Sequence, residues 1–366
     1  MLSSHLGNTG NILIAPLDWG LGHATRCMPL IDMLLRRGKR VVIAGNGDSL
    51  YLLKEQYPNL TYYELPGYNI TYPSGRNASF HTLLQTPKIL RTIQAENKMT
   101  AEIAAREKIG LIISDNRYGV RLHDVKSIFI CHQVALQAPT PFQWMNPIFL
   151  RLHLQQIKRF DALWIPDEES NSNLSGKLSH GISFPLPAKY IGIQSRFSGY
   201  IKQASFIDDL DFDVLAVLSG PEPQRSELEK KLTKQLRALP LKSVLVQGKT
   251  AQQTITQDGS LTVISYLNTN DLFSALQKAG AIICRSGYST VMDLAVLGKK
   301  AILIPAEGQT EQEFLAQSLS ATGQAVACSQ SALSVKEALT QLQHADGFTL
   351  FMPDLTLLEK ALADYL

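Results

Sequence analysis

Cysteine is scarce. Only four occur in 366 residues, at 27, 131, 284 and 328, too far apart for any CxxC pair. A disulfide scaffold and the cysteine-based zinc sites are thereby excluded, and reduced thiols in a cytoplasmic protein are expected. HExxH, GxSxG, P-loop and kinase signatures are missing as well. Charge of one sign is also in short supply. A net charge of +3, with no basic stripe interleaved with aromatics, gives no footprint for nucleic acid. No apolar run approaches the roughly 20 residues of a membrane-spanning helix, and the first residues show no signal-peptide pattern. What remains is a chain 45% hydrophobic and 18% charged, the balance of a well-packed soluble protein. Its length exceeds one ordinary core, so two domains are expected.

The apolar pattern supports that division. Asn11 to Ala15 reads as a buried strand, followed by a Gly-rich turn and a helix from about His23 to Arg37 that Gly38 ends. Val41 to Ala44 is the next strand, completing a right-handed βαβ unit. Strand patterns recur at Leu111–Ser114, Ser127–Cys131 and Ala162–Ile165. Near residue 213 the scheme restarts: strand Val214–Leu218, a Ser219-Gly220 turn, a helix from Gln224, then strands at Ser243–Gln247, Thr262–Ser265, Ala281–Cys284 and Ala301–Ile304. Two doubly wound α/β halves follow. The expected division is 1–195, 196–350 and a final helix in 351–366 that can pack back on either half, the first being preferred. Residues 139–160 are rich in apolar side chains flanked by Arg151, Lys158 and Arg159. They fit either a core helix or a membrane-surface patch, and core is the expectation.

Three loops carry chemistry. Cys284-Arg285-Ser286-Gly287-Tyr288-Ser289-Thr290 turns from a strand into a helix, whose free N–H groups and partial positive charge suit a diphosphate. Asp293, one turn on, can reach two vicinal ribose hydroxyls. Alternatively, Thr290 and Asp293 form a capping box that only closes the helix. Glu311 and Gln312 follow the next strand and suit sugar hydroxyls, or form a solvated turn. The Ser219-Gly220 turn lies on the same edge. In the first half, Gly20 and Gly22 permit a tight turn. His23 at the helix start can accept a proton near neutral pH or merely cap the helix. Asp115, Arg117 and His132 follow neighbouring strands. Asp211-Phe212-Asp213 spells a DxD, but its place before a strand argues against a metal site.

On these residues the chain resembles the GT-B glycosyltransferases. It is most similar to the bacterial group that includes the undecaprenyl-muramoyl-peptide N-acetylglucosaminyltransferase, with its glycosyltransferase family 28 type of C-terminal half. Gly20-Leu21-Gly22-His23-Ala24-Thr25-Arg26 is similar to that family's first Gly-rich loop. Arg285-Ser286-Gly287-Tyr288-Ser289-Thr290-Val291-Met292-Asp293-Leu294-Ala295 resembles its donor segment, with Asp293 where the family usually has Glu. The resemblance implies two Rossmann-like domains facing across a cleft, with the nucleotide-sugar donor on the C-terminal half and a hydroxyl acceptor on the N-terminal half. It implies no metal and no cofactor. It implies His23 as base; Arg285, Ser286, Gly287, Ser289 and Thr290 on the diphosphate; Asp293 on the ribose; Glu311 and Gln312 on the sugar; and Tyr266-Leu267 at the base, uracil being expected. Gly20, Gly22, Asp115, Arg117 and His132 fall on the acceptor side. The acceptor stays open, a lipid-linked one at the inner membrane face included. A nucleotide-sugar hydrolase of the same fold, or a non-catalytic sugar-nucleotide binding protein, would use the same residues.

Overall fold

The computed structural model describes residues 10–68, 85–138, 142–170, 173–220, 222–249, 253–348 and 355–366. The chain forms two compact units. The first runs to Gln194 and regains the chain at its C-terminal helix, and the second begins at Ser195.

The first unit is built on seven parallel strands. They are β1 (Asn11–Pro16), β2 (Val41–Gly45), β3 (Thr61–Glu64), β4 (Ile109–Asp115), β5 (Lys126–Ile130), β6 (Ala162–Ile165) and β7 (Ala188–Tyr190), in the order β3-β2-β1-β4-β5-β6-β7. The central strands β1, β2 and β4 are apolar and almost wholly buried, as parallel strands covered on both faces must be. Helices α1 (Gly22–Arg36), α2 (Gly47–Gln56), α3 (Thr86–Glu107) and α4 (Asn146–Ile157) connect them. In α1 the residues Cys27, Met28, Leu30, Ile31 and Leu34 are buried at helical spacing. The chain leaves α1 through Gly38 at φ +68°, a conformation that favours glycine. The C-terminal helix α10 (Leu355–Ala363) buries Leu358, Ala361 and Leu362, and Tyr365 lies edge-on to Trp164 at 6.0 Å.

The second unit repeats the plan. Its sheet has the order β10-β11-β9-β8-β12-β13-β14. The strands are β8 (Val214–Val217), β9 (Ser243–Val246), β10 (Ile255–Asp258), β11 (Leu261–Ile264), β12 (Ala281–Cys284), β13 (Ala301–Leu303) and β14 (Val326–Ala327). All pairs are parallel except the exposed edge strand β10, which is antiparallel to β11. Helices α5 (Gln224–Arg237), α6 (Thr269–Lys278), α7 (Tyr288–Leu297), α8 (Thr310–Ala321) and α9 (Val335–Gln343) complete it. Leu215, Leu245, Ile283 and Ile302 are each about 1% exposed or less.

The strand order reverses direction between β1 and β4 in the first unit and between β8 and β12 in the second. Crevices at the carboxyl ends of such strand pairs are where doubly wound sheets take ligands. The DxD lies at the other end of its sheet, ahead of β8. Asp211 pairs with Lys242 at 2.6 Å, and Asp213 accepts the Lys242 main-chain N–H at 3.1 Å. Among the described residues no cluster of His, Cys, Asp and Glu is arranged for a metal ion.

The core helix expected around 139–160 holds for one face: Leu150, Leu154, Ile157 and Phe160 belong to a cluster with Phe129 and Leu163, while the other face is exposed. Residues 139–141 lie outside the described residues. In the rest, His153, Ile157 and Phe160 are buried. Phe142, Trp144, Ile148 and Leu152 are exposed by 46%, 68%, 47% and 54%. Trp144, Ile148 and Leu152 recur every four residues, which keeps them on one face pointing away from the sheet.

Candidate functional site

In the first unit, three adjacent strand ends deliver one buried polar cluster. Asp115 ends β4, His132 follows β5, and the loop after β1 opens α1 with His23 and Arg26 one turn apart. Arg26 grips the Asp115 carboxylate with two donors: Nε to Oδ2 at 2.5 Å, and Nη2 to Oδ1. His23 Nδ1 lies 2.8 Å from Asp115 Oδ1. Arg26 Nη1 lies 2.7 Å from His132 Nδ1. Asp115 is wholly buried, and His23 keeps 12% of its side chain exposed.

The charges follow from these contacts. Burial works against ionisation of Asp115, but Arg26 and His23 outweigh it and hold its carboxyl well below the ordinary range. Burial also opposes the charge on Arg26, and the Asp115 carboxylate overrides it, so the guanidinium stays protonated. His23 is shifted down from 6.5, chiefly by burial and then by Arg26, against the pull of Asp115. A lone pair on Nδ1 would face the carboxylate. The proton therefore lies between Nδ1 and Asp115, and Nε2 is left as a bare acceptor: a base in position and in the right protonation state. The sequence suggested helix-start polarity as the reason for a neutral His23; the structure adds burial and the Arg26 charge.

The Gly-rich loop that carries His23 is pinned from behind. Asp18 accepts from Ser49 N at 3.1 Å and Asn46 Nδ2 at 3.2 Å. Gly20 adopts φ +90° with open space where a Cβ would stand. Trp19, 47% exposed, lies edge-on to Tyr68 at 6.3 Å.

Arg117 has a different place from the one its motif suggested. It is wholly buried. Its donors go to Pro16 O at 2.9 Å, Glu96 Oε1 at 2.6 Å, Pro66 O at 3.3 Å and Asn46 Oδ1. Glu96 in turn accepts from Tyr68 at 2.7 Å. Arg117 thus ties the ends of β1 and β3 to α3, which steadies the strand ends around Asp115. Next to it, Asn116 at φ +60° buries an Oδ1 that has no partner among the described residues.

In the second unit, the loops after β8, β12 and β13 lie side by side because those strands are adjacent. Helix α7 begins at Tyr288, with Gly287 as its N-cap and no side chain capping it. The capping-box alternative is therefore not realised, because Thr290 and Asp293 lie inside the helix. A Cβ on Gly287 would meet nothing within 4 Å, so the helix start faces open space. Gly220 and Gly308, on the flanking loops, are open in the same way. Ser289 and Thr290 are half-buried on the first turn, and Ser219 is exposed. Tyr266 and Leu267 follow β11; Tyr266 O accepts from Gln253 Nε2 at 3.3 Å, and Leu267 is buried.

Four residues expected on the donor also carry structural bonds. Arg285 is 1% exposed. It donates to Ile304 O at 3.2 Å, Pro305 O at 3.1 Å and Gln224 O at 3.2 Å, while its buried Nε has no partner among the described residues. Burial pushes its pKa down to about 10, with Glu307 opposing. Ser286 Oγ donates to Gln312 O at 2.8 Å. The Gln312 side chain accepts from Ala306 N at 2.9 Å and donates to Gln309 Oε1 at 2.6 Å. Asp293 accepts from Ser195 Oγ at 2.6 Å and Arg196 Nε at 3.1 Å. Burial raises its pKa, against Arg196 and Ser195. Arg26 entered the sequence reading only as the last residue of the Gly-rich motif, and Ser195 and Arg196 were not singled out at all. Their partners stand 89 to 98 positions away in the chain, beyond any motif.

This pair of doubly wound units, with an open helix start on one and a His–Asp pair on the other, has the fold of the GT-B glycosyltransferases. Residues 221–354 match the glycosyltransferase family 28 C-terminal domain, so the second unit is a glycosyltransferase domain. Among curated relatives is the UDP-N-acetylglucosamine--N-acetylmuramyl-(pentapeptide) pyrophosphoryl-undecaprenol N-acetylglucosamine transferase of Rhizobium etli (strain CIAT 652). It is 39% identical over 77 residues, covering 20% of this chain and 21% of that protein. The enzyme of the same name from Pasteurella multocida (strain Pm70) is 31% identical over 107 residues, covering 28% and 30%. The chain thus spans under a third of the length of these relatives in the matched region. Solved structures share the fold throughout. The glycosyltransferase SnogD from Streptomyces nogalater matches with TM-score 0.63 at 13% identity, over 98% of this chain and all of that one. Acinetobacter baumannii MurG matches with TM-score 0.53 at 17% identity, over 93% of both. Among the described residues no helix is long and apolar enough to cross a membrane.

Proposed function

We propose that this chain transfers a hexose-type sugar from a nucleoside-diphosphate sugar, with uridine as the nucleoside, to a hydroxyl acceptor. One observation carries the reading: His23 Nδ1 is held 2.8 Å from a buried, ionised Asp115, leaving Nε2 as an acceptor. In this mechanism His23 Nε2 takes the acceptor proton as its oxygen bonds to the anomeric carbon. The bond to the diphosphate breaks, and its electron pair leaves with the nucleotide. Asp115 stabilises the resulting imidazolium. The open start of α7, with Gly287, Ser289 and Thr290, receives the leaving diphosphate. Arg285 and Ser286 shape that loop, Asp293 holds the ribose, and Glu311 and Gln312 select the sugar. The relatives' names support UDP-N-acetylglucosamine as the first donor to try.

A lipid-linked acceptor is supported by α4. Its exposed Ile148 and Leu152, with Trp144 in the turn just ahead of it, stand beside Arg151, Lys158 and Arg159, all exposed, in a stretch without Asp or Glu. An apolar face bordered by cations suits the surface of an anionic bilayer, which supports a peripheral position at the inner face of the membrane.

Titration calorimetry with UDP and UDP-sugars, joined to an assay of UDP release, tests the proposal. His23→Ala should keep UDP affinity within about twofold and lower turnover by on the order of a hundredfold or more. Equal turnover in the variant, or no nucleotide binding by the wild type, would overturn it.

A further inference from the structure

Two histidines stand at the same strand edge, and one guanidinium touches both. Arg26 Nη2 is 2.8 Å from His23 Nδ1, and Arg26 Nη1 is 2.7 Å from His132 Nδ1. Arginine has donors only and keeps its charge. At His132 the assignment is therefore forced. Nδ1 accepts from Arg26, so the proton of the neutral ring is on Nε2. At His23 the ring Nδ1 meets both Arg26 Nη2 and Asp115 Oδ1 at 2.8 Å; Nη2 also donates to that oxygen, and the carboxylate, which can only accept, sets the tautomer. Nδ1 there carries the proton, and Nε2 has none.

We propose that Arg26 is a positioning residue that sets the two imidazoles in opposite tautomers, so that His23 alone can take the acceptor's proton and His132 presents an N–H at its other nitrogen. Resting on the glycosyltransferase reading for its catalytic consequence, the inference stands on geometry for the tautomers themselves. The arrangement is rigid. Arg26 is 4% exposed, His132 5% and Asp115 0%. The two donors of Arg26 on Asp115 fix the plane of the guanidinium, and the plane fixes the direction of Nη1. Lysine in its place would keep the charge but lose the fork.

The groups that act on His23 are Arg26 and Asp115, with His132 behind them. Arg26 lowers the His23 pKa, so its loss raises it. A base acts only when unprotonated, and the acid limb of the pH–rate profile then moves to higher pH. The experiment is nitrogen-15 NMR of the histidine side chains in the full-length protein, which distinguishes protonated from bare ring nitrogens. His23→Gln and His132→Gln assign the signals.

In the wild type, His23 should show Nδ1 protonated and Nε2 bare, and His132 the reverse. Arg26→Lys should hold the acid limb near its wild-type position while His132 relaxes to a mixture of tautomers. Arg26→Gln should move the acid limb upward, with UDP affinity unchanged within twofold. A wild-type His132 protonated at Nδ1 would overturn the proposal, even if no Arg26 variant folds. So would an unchanged His132 pattern in a folded Arg26→Lys. Should the tautomers be as stated while no donor is turned over, the activity reading fails and the tautomer assignment stands.

Discussion

Asp115→Asn tests the cluster without knowledge of the acceptor. The substitution keeps the shape and removes the charge. Arg26 is then a cation 2% exposed with no anion opposite, where the pair had been bidentate. Removing one partner of such a buried pair costs about 3–5 kcal/mol, against about 1 kcal/mol or less for an exposed pair. For a protein of this size that lowers the unfolding midpoint by about 4–7 °C, read by scanning calorimetry on the full chain at pH 7. The double variant Arg26→Met, Asp115→Asn removes the stranded charge and should recover part of the loss. The pH dependence has a definite sign. The folded carboxyl is held below its ordinary range of 3.8, so its contribution is complete above that value and is lost as pH falls below it. At pH 7 the wild type has all of it. A loss under about 1 kcal/mol, with no recovery in the double variant, would mean the pair behaves as a solvated one and would undo the account of the cluster.

Further expectations follow from single contacts. Gly287→Ala fits the fold, since φ is −68° and a Cβ meets nothing within 4 Å. Stability should fall by under about 1 kcal/mol, while UDP affinity in calorimetry falls at least tenfold as the methyl enters the space of the phosphate. Asp293→Asn should weaken UDP binding by about 1–3 kcal/mol if its carboxylate meets the ribose; unchanged affinity in a folded variant confines Asp293 to its bonds with Ser195 and Arg196. His153, 4% exposed with Nδ1 on Val134 O at 2.9 Å, has its pKa pushed down by burial from 6.5 to about 4. The unfolded chain protonates first, so stability drops by about 2 kcal/mol between pH 7 and pH 5. In urea unfolding His153→Asn should remove most of that slope.

The sequence carried the fold because its strands are short, apolar and separated by glycines at the turns. β1, the Gly20–Gly22 loop and α1 all follow from local pattern, as do β12, Gly287 and α7. The His23 position was legible for the same reason: a titratable residue at a strand-to-helix turn. Partnership across the sheet was not legible. Nothing near Arg26 announces Asp115, and nothing near Asp293 announces Arg196. Arg117 and Arg285 read as ligand-facing cations, yet both are buried with donors on main-chain carbonyls, because a guanidinium can brace several loop ends at once. The apolar stretch at 139–160 read as core, which one face of its helix is; composition alone does not tell that the other face stays exposed.

The return of α10 to the first unit bears on how this protein is made. Among the described residues the second unit is continuous in sequence from Ser195 and can finish as soon as those residues have left the ribosome. The first unit starts earlier and closes later, since Leu358, Ala361 and Leu362 follow the whole second unit in the chain. The half that emerges first from the ribosome is thus the half that must wait, and losing the helix at 355–363 would injure the beginning of the polypeptide.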